Sequence, residues 1–213
     1  HTKSHCDWSS DVCSSDLGEG AYTGRVAVFC RFAGCNLWSG LEEDRSTAVC
    51  QFCDTEFVGI DGSGGGKFDS PENLTNHILS FWNGTDAPFV VFTGGEPLLQ
   101  MDDKLVEALK KEHVEMAIET NGTLIPPDGI DWICVSPKQE AELLVTKGDE
   151  LKIVYPQDGL DPSNFLDLDF DVFSLQPMDG PEYNNNLQET LVYCRTHPEW
   201  RLSLQTHKYL QIP

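Results

Sequence analysis

Phe29-Cys30-Arg31-Phe32-Ala33-Gly34-Cys35-Asn36-Leu37-Trp38, joined by eleven residues to Cys50-Gln51-Phe52-Cys53-Asp54-Thr55, sets three cysteines at the spacing C-x14-C-x2-C. Three thiolates in one loop, with no fourth cysteine at ligand spacing, suit a cubane iron–sulfur cluster with one iron left open. An open iron can chelate a small molecule, whereas a fourth protein ligand would close the site. A zinc knuckle also contains Cys-x2-Cys, but zinc wants a fourth ligand, and no second Cys pair or His pair lies nearby.

Outward from this loop, apolar β-branched runs alternate with helical patterns. Val26–Phe32, Phe89–Thr93, Val114–Thr120, Asp131–Ser136, Leu151–Tyr155 and Asp171–Gln176 read as strands, and Arg201–Leu210 alternates like a partly exposed one. Between them, Ser70-Pro71-Glu72 opens a helix with a cap and an N1 proline. Asp102 to Lys111 and Pro181 to Thr196 repeat the helical spacing. Gly59–Phe68, rich in glycine, reads as a flexible surface loop, lacking the Gly-Lys-Ser/Thr ending of a phosphate-binding loop. Repeated β-α units predict an α/β fold with a mainly parallel sheet. The strand count fits an incomplete barrel with its site at the carboxyl ends of the strands, where several motifs fall.

Composition narrows the function classes. A net charge of −21, from 14 Lys and Arg against 35 Asp and Glu, argues against nucleic-acid binding, which needs basic side chains to neutralise phosphates. No run approaches the roughly 18 apolar residues of a membrane span. Of the eight cysteines, Cys30, Cys134 and Cys194 sit in apolar or helical stretches and read as small core residues. A reducing cytoplasm is the expected compartment. Residues 1–17 stand apart. Asp7 to Leu17 back-translate to a common short-read sequencing adapter, so this stretch, with Cys6 and Cys13, reads as an assembly artefact. One domain over 18–213 follows.

The cysteine spacing is similar to that of radical S-adenosylmethionine (SAM) enzymes, with the usual first gap of three expanded to fourteen. That expansion and its flanks resemble the 7-carboxy-7-deazaguanine synthase family. The resemblance implies an incomplete (β/α)6-type radical SAM barrel and a homodimer, and because it starts only at Gly18 it implies that the family's first strand is missing. The implied reaction converts 6-carboxy-5,6,7,8-tetrahydropterin to 7-carboxy-7-deazaguanine with loss of ammonia, in the deazapurine and queuosine pathways. It implies a 4Fe–4S cluster on Cys35, Cys50 and Cys53, SAM at the open iron, Mg2+ on Thr55, and a flavodoxin- or ferredoxin-like electron donor. Phe52, Asp54, Gly95, Glu96, Glu119, Ser136, Pro137, Lys138, Gln176, Pro177, Met178 and Asp179 are implied around SAM. Gly18, Glu19, Arg31, Thr93, His207 and Pro213 are implied around the pterin. Two rivals remain at this level: an activase acting on a partner protein, whose family carries the short cysteine motif, and a non-catalytic zinc or iron–sulfur module.

Overall fold

The computed structural model describes residues 8–16, 19–60, 62 and 64–210. In chain order the elements are β1 (Trp8–Asp16), β2 (Ala27–Phe32), β3 (Gly66–Phe68), α1 (Pro71–Leu79), β4 (Phe89–Gly94), α2 (Asp103–Lys111), β5 (Glu115–Thr120), β6 (Trp132–Val135), β7 (Lys147–Tyr155), β8 (Asp169–Pro177), α3 (Tyr183–Thr196), β9 (Trp200–Leu202) and α4 (Thr206–Leu210). They build one nine-stranded sheet in the order β3-β1-β2-β4-β5-β6-β7-β8-β9. From β2 to β9 every neighbouring pair is parallel, while β1 pairs antiparallel with both β2 and β3.

The outer face of the sheet is a continuous apolar surface. Val28, Phe32, Val90, Phe92, Met116 and Ile118 pack there against Leu74 and Ile78 of α1 and Leu105 and Leu109 of α2. Each helix is fixed at its start: Ser70 Oγ accepts from Asn73 N–H at 3.2 Å, and Asp102 Oδ1 accepts from Leu105 N–H at 3.0 Å. Such caps contribute about 1 kcal/mol each. A second apolar cluster, around Val135, Leu151, Ile153, Leu175 and Trp200, is covered by Tyr193 and Cys194 of α3. Cys30 and Cys134 are buried as expected, at 0% and 1% exposure, whereas Cys194 is only half-buried.

Among the described residues, three of the six crossovers between parallel strands run through an α-helix, those that the sequence patterns at Ser70, Asp102 and Pro181 mark; the links from β5 to β6, β6 to β7 and β7 to β8 do not. Three expectations change. The strand expected to be missing is present: Trp8–Asp16 forms the ladder beside β2, because the open edge of β2 offers backbone donors and acceptors to any extended segment. Gly59–Phe68 is not loop throughout, since Gly66–Phe68 pairs with Trp8–Ser10. Arg201–Leu210 is strand only as far as Leu202. Its pairing with β8 covers three residues, and beyond it polar side chains of α4 bind the cavity rim, so the chain turns helical.

Candidate active site

Inside the sheet a cavity of about 390 Å³ opens at the carboxyl ends of the strands. Its floor is apolar: Phe29, Val91 and Ala117 pack there with Ala27, Phe89, Tyr22 and Trp132. One pleat further along the same strands stand Arg31, Thr93 and Glu119, so the wall turns polar where the strands end. This grading needs no special backbone. A step of two residues keeps a side chain on one face of a strand, and the change from Phe29 to Arg31 is a change of residue type alone.

Cys35, Cys50 and Cys53 are free thiols on the rim of this cavity. The long segment between the first two is organised by its own side chains. Arg45 lies over the Trp38 ring at 3.9 Å and donates to the backbone carbonyls of Gln51 (2.9 Å) and Cys53 (3.1 Å), while Phe57 meets Trp38 edge-on. Burial pushes the Cys50 and Cys53 thiols up, and the Lys138 ammonium, close enough to act on both, draws them back towards thiolate. Among the described residues no three His, Cys, Asp or Glu side chains converge tightly enough to hold a single metal ion. A cubane takes one thiolate on each of three irons, so three cysteines on one rim fit it.

The Thr93-Gly94-Gly95-Glu96 turn locks this loop to the sheet. A Cβ on Gly94 would lie 2.1 Å from the Phe32 carbonyl oxygen, and one on Gly95 would lie 2.1 Å from that of Gly34. The glycines therefore admit the backbone of the cysteine loop, which accepts from Gly95 N–H (3.2 Å) and Glu96 N–H (2.9 Å). Gly95 still lines the cavity, but the Glu96 side chain does not. Fully buried, it accepts from Thr120 Oγ1 (2.8 Å), Asn121 N–H (2.8 Å) and Leu98 N–H (3.0 Å), tying the end of β4 to the end of β5. Asn121 continues that chain, donating from Nδ2 to Asn36 Oδ1 beside Cys35 at 3.0 Å.

Most other predicted residues converge on the same space. Phe52, Asp54, Thr55, Glu19, Arg31, Thr93, Glu119, Ser136, Lys138, Gln176, Pro177, Asp179 and His207 all line the cavity. Pro137 and Met178 do not: Pro137 is buried, and Met178 is half-buried with its backbone N–H given to the Tyr155 carbonyl at 2.8 Å. Gly18 and Pro213 lie outside the described residues. Lys138 Nζ donates to Ser136 O and Oγ at 2.6 and 2.7 Å. Arg31 carries a buried Nε with no hydrogen-bond partner, a donor waiting for an acceptor.

The sequence reading missed Glu150, Lys152, Gln205 and Lys208, which also line the cavity. Lys152 Nζ, in the middle of β7, donates to Glu119 Oε1 at 2.9 Å and Glu19 Oε2 at 3.2 Å. Glu150 accepts from Ser174 Oγ at 2.6 Å and Ala21 N–H at 3.0 Å. The available signal was Glu150 and Lys152 at a spacing of two, alternating with the apolar Leu151 and Ile153 of β7. Lys208 on α4 donates to Asp54 (2.6 Å) and Asp179 (2.5 Å), and Gln205 donates to Asp54 at 3.0 Å, so α4 is pinned across the cysteine loop. Burial alone would raise the Asp54 carboxyl, but the Lys208 and Gln205 hydrogen bonds outweigh it and hold it below its ordinary value.

Known proteins share this arrangement. Residues 45–147 match the radical SAM superfamily. A 7-carboxy-7-deazaguanine synthase from Caulobacter vibrioides is 55% identical over 197 residues, 92% of this chain and 94% of that one. A protein of the same name from Burkholderia multivorans is 58% identical with the same coverage. In three dimensions the chain resembles the crystal structure of QueE from Escherichia coli, with a TM-score of 0.69, 24% identity and 94% of each chain covered. With three free thiols placed for an open cluster beside a polar cavity, the chain belongs to the 7-carboxy-7-deazaguanine synthase family of radical SAM enzymes.

Proposed function

We propose that the cavity converts 6-carboxy-5,6,7,8-tetrahydropterin to 7-carboxy-7-deazaguanine with release of ammonia, a step of queuosine or related deazapurine synthesis. The observation that carries this reading is Arg31: a guanidinium nitrogen buried without a partner, in a cavity that also holds the three cysteines. An unsatisfied guanidinium is a site for a planar anion, and a carboxylate fits its fork. When bound, the 4Fe–4S cluster on Cys35, Cys50 and Cys53, together with SAM, supplies the 5′-deoxyadenosyl radical that initiates the ring contraction.

The side chains do the rest. Arg31 and Glu19 orient the pterin, one at its carboxylate and one at its N–H donors, with Thr93 and His207 alongside. Glu119, Lys138, Gln176 and Asp179 surround the SAM half, and Phe52 supplies an apolar face there. Glu96 acts from below as a positioning residue, holding the two turns from which Gly95 and Asn121 project. The apolar floor keeps water from beneath the substrate. Thr55 would offer its hydroxyl to a bound Mg2+, which would supply positive charge for the substrate carboxylate. The neighbouring Asp54 is already engaged by α4. A flavodoxin- or ferredoxin-like donor, a homodimeric state and a reducing compartment belong to the same proposal. No helix among the described residues is long and apolar enough to cross a membrane.

The test is anaerobic reconstitution with iron and sulfide, then incubation with SAM, a reductant and carboxytetrahydropterin, read by mass spectrometry. Carboxydeazaguanine formed only with SAM supports the reading. An intact cluster that cleaves SAM and leaves the pterin unchanged removes the proposed substrate.

A further inference from the structure

Lys152 is placed where the two halves of the cavity meet. The residue is 5% exposed, and its ammonium sits between carboxylates from two separate segments: Glu119 at the end of β5 and Glu19 ahead of β2. A third carboxylate, Glu150, projects from the same face of β7 one pleat earlier and is committed to Ser174 and the Ala21 backbone. The far oxygen of Glu19 faces His207 Nδ1 at 3.5 Å. Glu119 keeps 26% of its side chain open and Glu19 20%, so both carboxylates still face the cavity while sharing one cation.

We propose that Lys152 is a positioning residue for both ligands, holding Glu119 towards SAM and Glu19 towards the pterin through one shared ammonium. The inference rests on the reaction proposed above, which assigns those two carboxylates to the two ligands. The physical reason is like-charge repulsion at short range. Three carboxylates gathered on one wall cannot all keep their charge and their orientation without a cation between them. Without Lys152, Glu119 and Glu19 swing apart or take up protons, and either change spoils a hydrogen bond on each side. Burial already pushes the Glu119 carboxyl up, and Lys152 is the main group opposing that push. A positively charged side chain that served stability alone would have no need to contact two carboxylates open to the cavity.

The experiment uses the reconstituted, cluster-loaded protein in its oxidised state, so that SAM is bound and not cleaved. Dissociation constants for SAM and for carboxytetrahydropterin are measured separately, with the melting temperature beside them. K152M is expected to weaken both ligands by about tenfold or more, equivalent to ~1.4 kcal/mol each, and K152R to recover most of the loss. K152M/E119Q should lose no more SAM affinity than K152M alone, because the two residues act as one unit. A K152M protein with a lower melting temperature and both affinities within about threefold of wild type overturns the proposal. If K152M does not fold, E19Q decides: a change in SAM affinity supports the coupling, and an unchanged value overturns it. Wild-type protein that binds SAM but no pterin removes the proposed substrate. The SAM affinity of K152M then decides the role of Lys152 alone, and an unchanged value overturns it.

Discussion

Each inner strand of this sheet has two faces written in different chemistry. The outward face of β2, β4, β5 and β7 has an apolar centre: Val28, Phe32, Val90, Phe92, Met116, Ile118, Leu151 and Ile153 are all at most 1% exposed. The inward face is graded. Ala27 and Phe29 give way to Arg31, Phe89 and Val91 to Thr93, and Ala117 to Glu119. Residues adjacent in sequence therefore belong to different tasks. The odd-numbered side of β2 and β4 builds the cavity, while their even-numbered side holds the sheet to its helices. Parity along a strand separates what folds the protein from what the protein does.

The largest expected effect lies at the rim of the cavity. Cys50→Ala is expected to abolish a stable cluster and with it all reductive SAM cleavage, measured by iron content and 5′-deoxyadenosine release. Retained cleavage would remove Cys50 from the ligand set. Next comes the outward face. Phe92→Ala opens a hole among Phe32, Val90 and the two helices, and should cost about 3–5 kcal/mol in denaturant unfolding. Its sequence neighbour Thr93→Ala should cost about 1 kcal/mol or less but weaken pterin binding. If Phe92→Ala changed ligand affinity in the protein that remains folded, or Thr93→Ala changed only stability, the division by parity would fail. A smaller effect is expected at Thr55→Ala, which should blunt the stimulation of turnover by Mg2+ by severalfold. A magnesium response equal to wild type would take Thr55 out of the metal site.

The outward face was the legible half of the molecule. Apolar β-branched runs gave the six inner strands to within a few residues, and the helical patterns from Ser70 and Asp102 gave α1 and α2. The cysteine loop and the Gly94-Gly95 turn were also readable, because each departs sharply from the background of a strand or helix. What the sequence hid were contacts made by ordinary residue types at long separation. Lys152 reads as one charge in an apolar strand until the fold brings it to Glu19, distant in sequence. Glu96 reads as a ligand because it follows two glycines, yet its carboxylate is consumed by Thr120 and Asn121. The helix α4 was invisible for the same reason: five residues have no helical signature, and what fixes them is Lys208 reaching Asp54 and Asp179. Local pattern reports which face a residue takes, and only the closed sheet reports whom it meets there.

One strand carries a carboxylate at each end of its inward face, and the pair sharpens the comparison to a single element. Glu115 opens β5 and Glu119 follows four residues later on the same side. At the lower end Glu115 is satisfied: Arg25 grips it through Nη1 at 2.6 Å and Nη2 at 2.5 Å, and stacks over Phe89 at 3.8 Å. The Arg25 hydrogen bonds hold the Glu115 carboxyl below its ordinary value. Its contribution to stability is therefore present in full above the unfolded carboxylate value of about 4.3, and is lost as pH falls through the lower, folded one. Both side chains are more than a third exposed, at 37% and 35%, so solvent screening keeps that contribution small. Glu115→Gln should cost less than about 1 kcal/mol at neutral pH, with the gap to wild type closing in acid and ligand affinities unchanged. Glu119, by contrast, is shifted upward by burial and faces the cavity. Glu119→Gln should alter SAM affinity more than stability. Two glutamates on one face of one strand thus take opposite roles. A Glu115→Gln protein impaired in SAM or pterin binding would mean that the lower end of the sheet is part of the site after all.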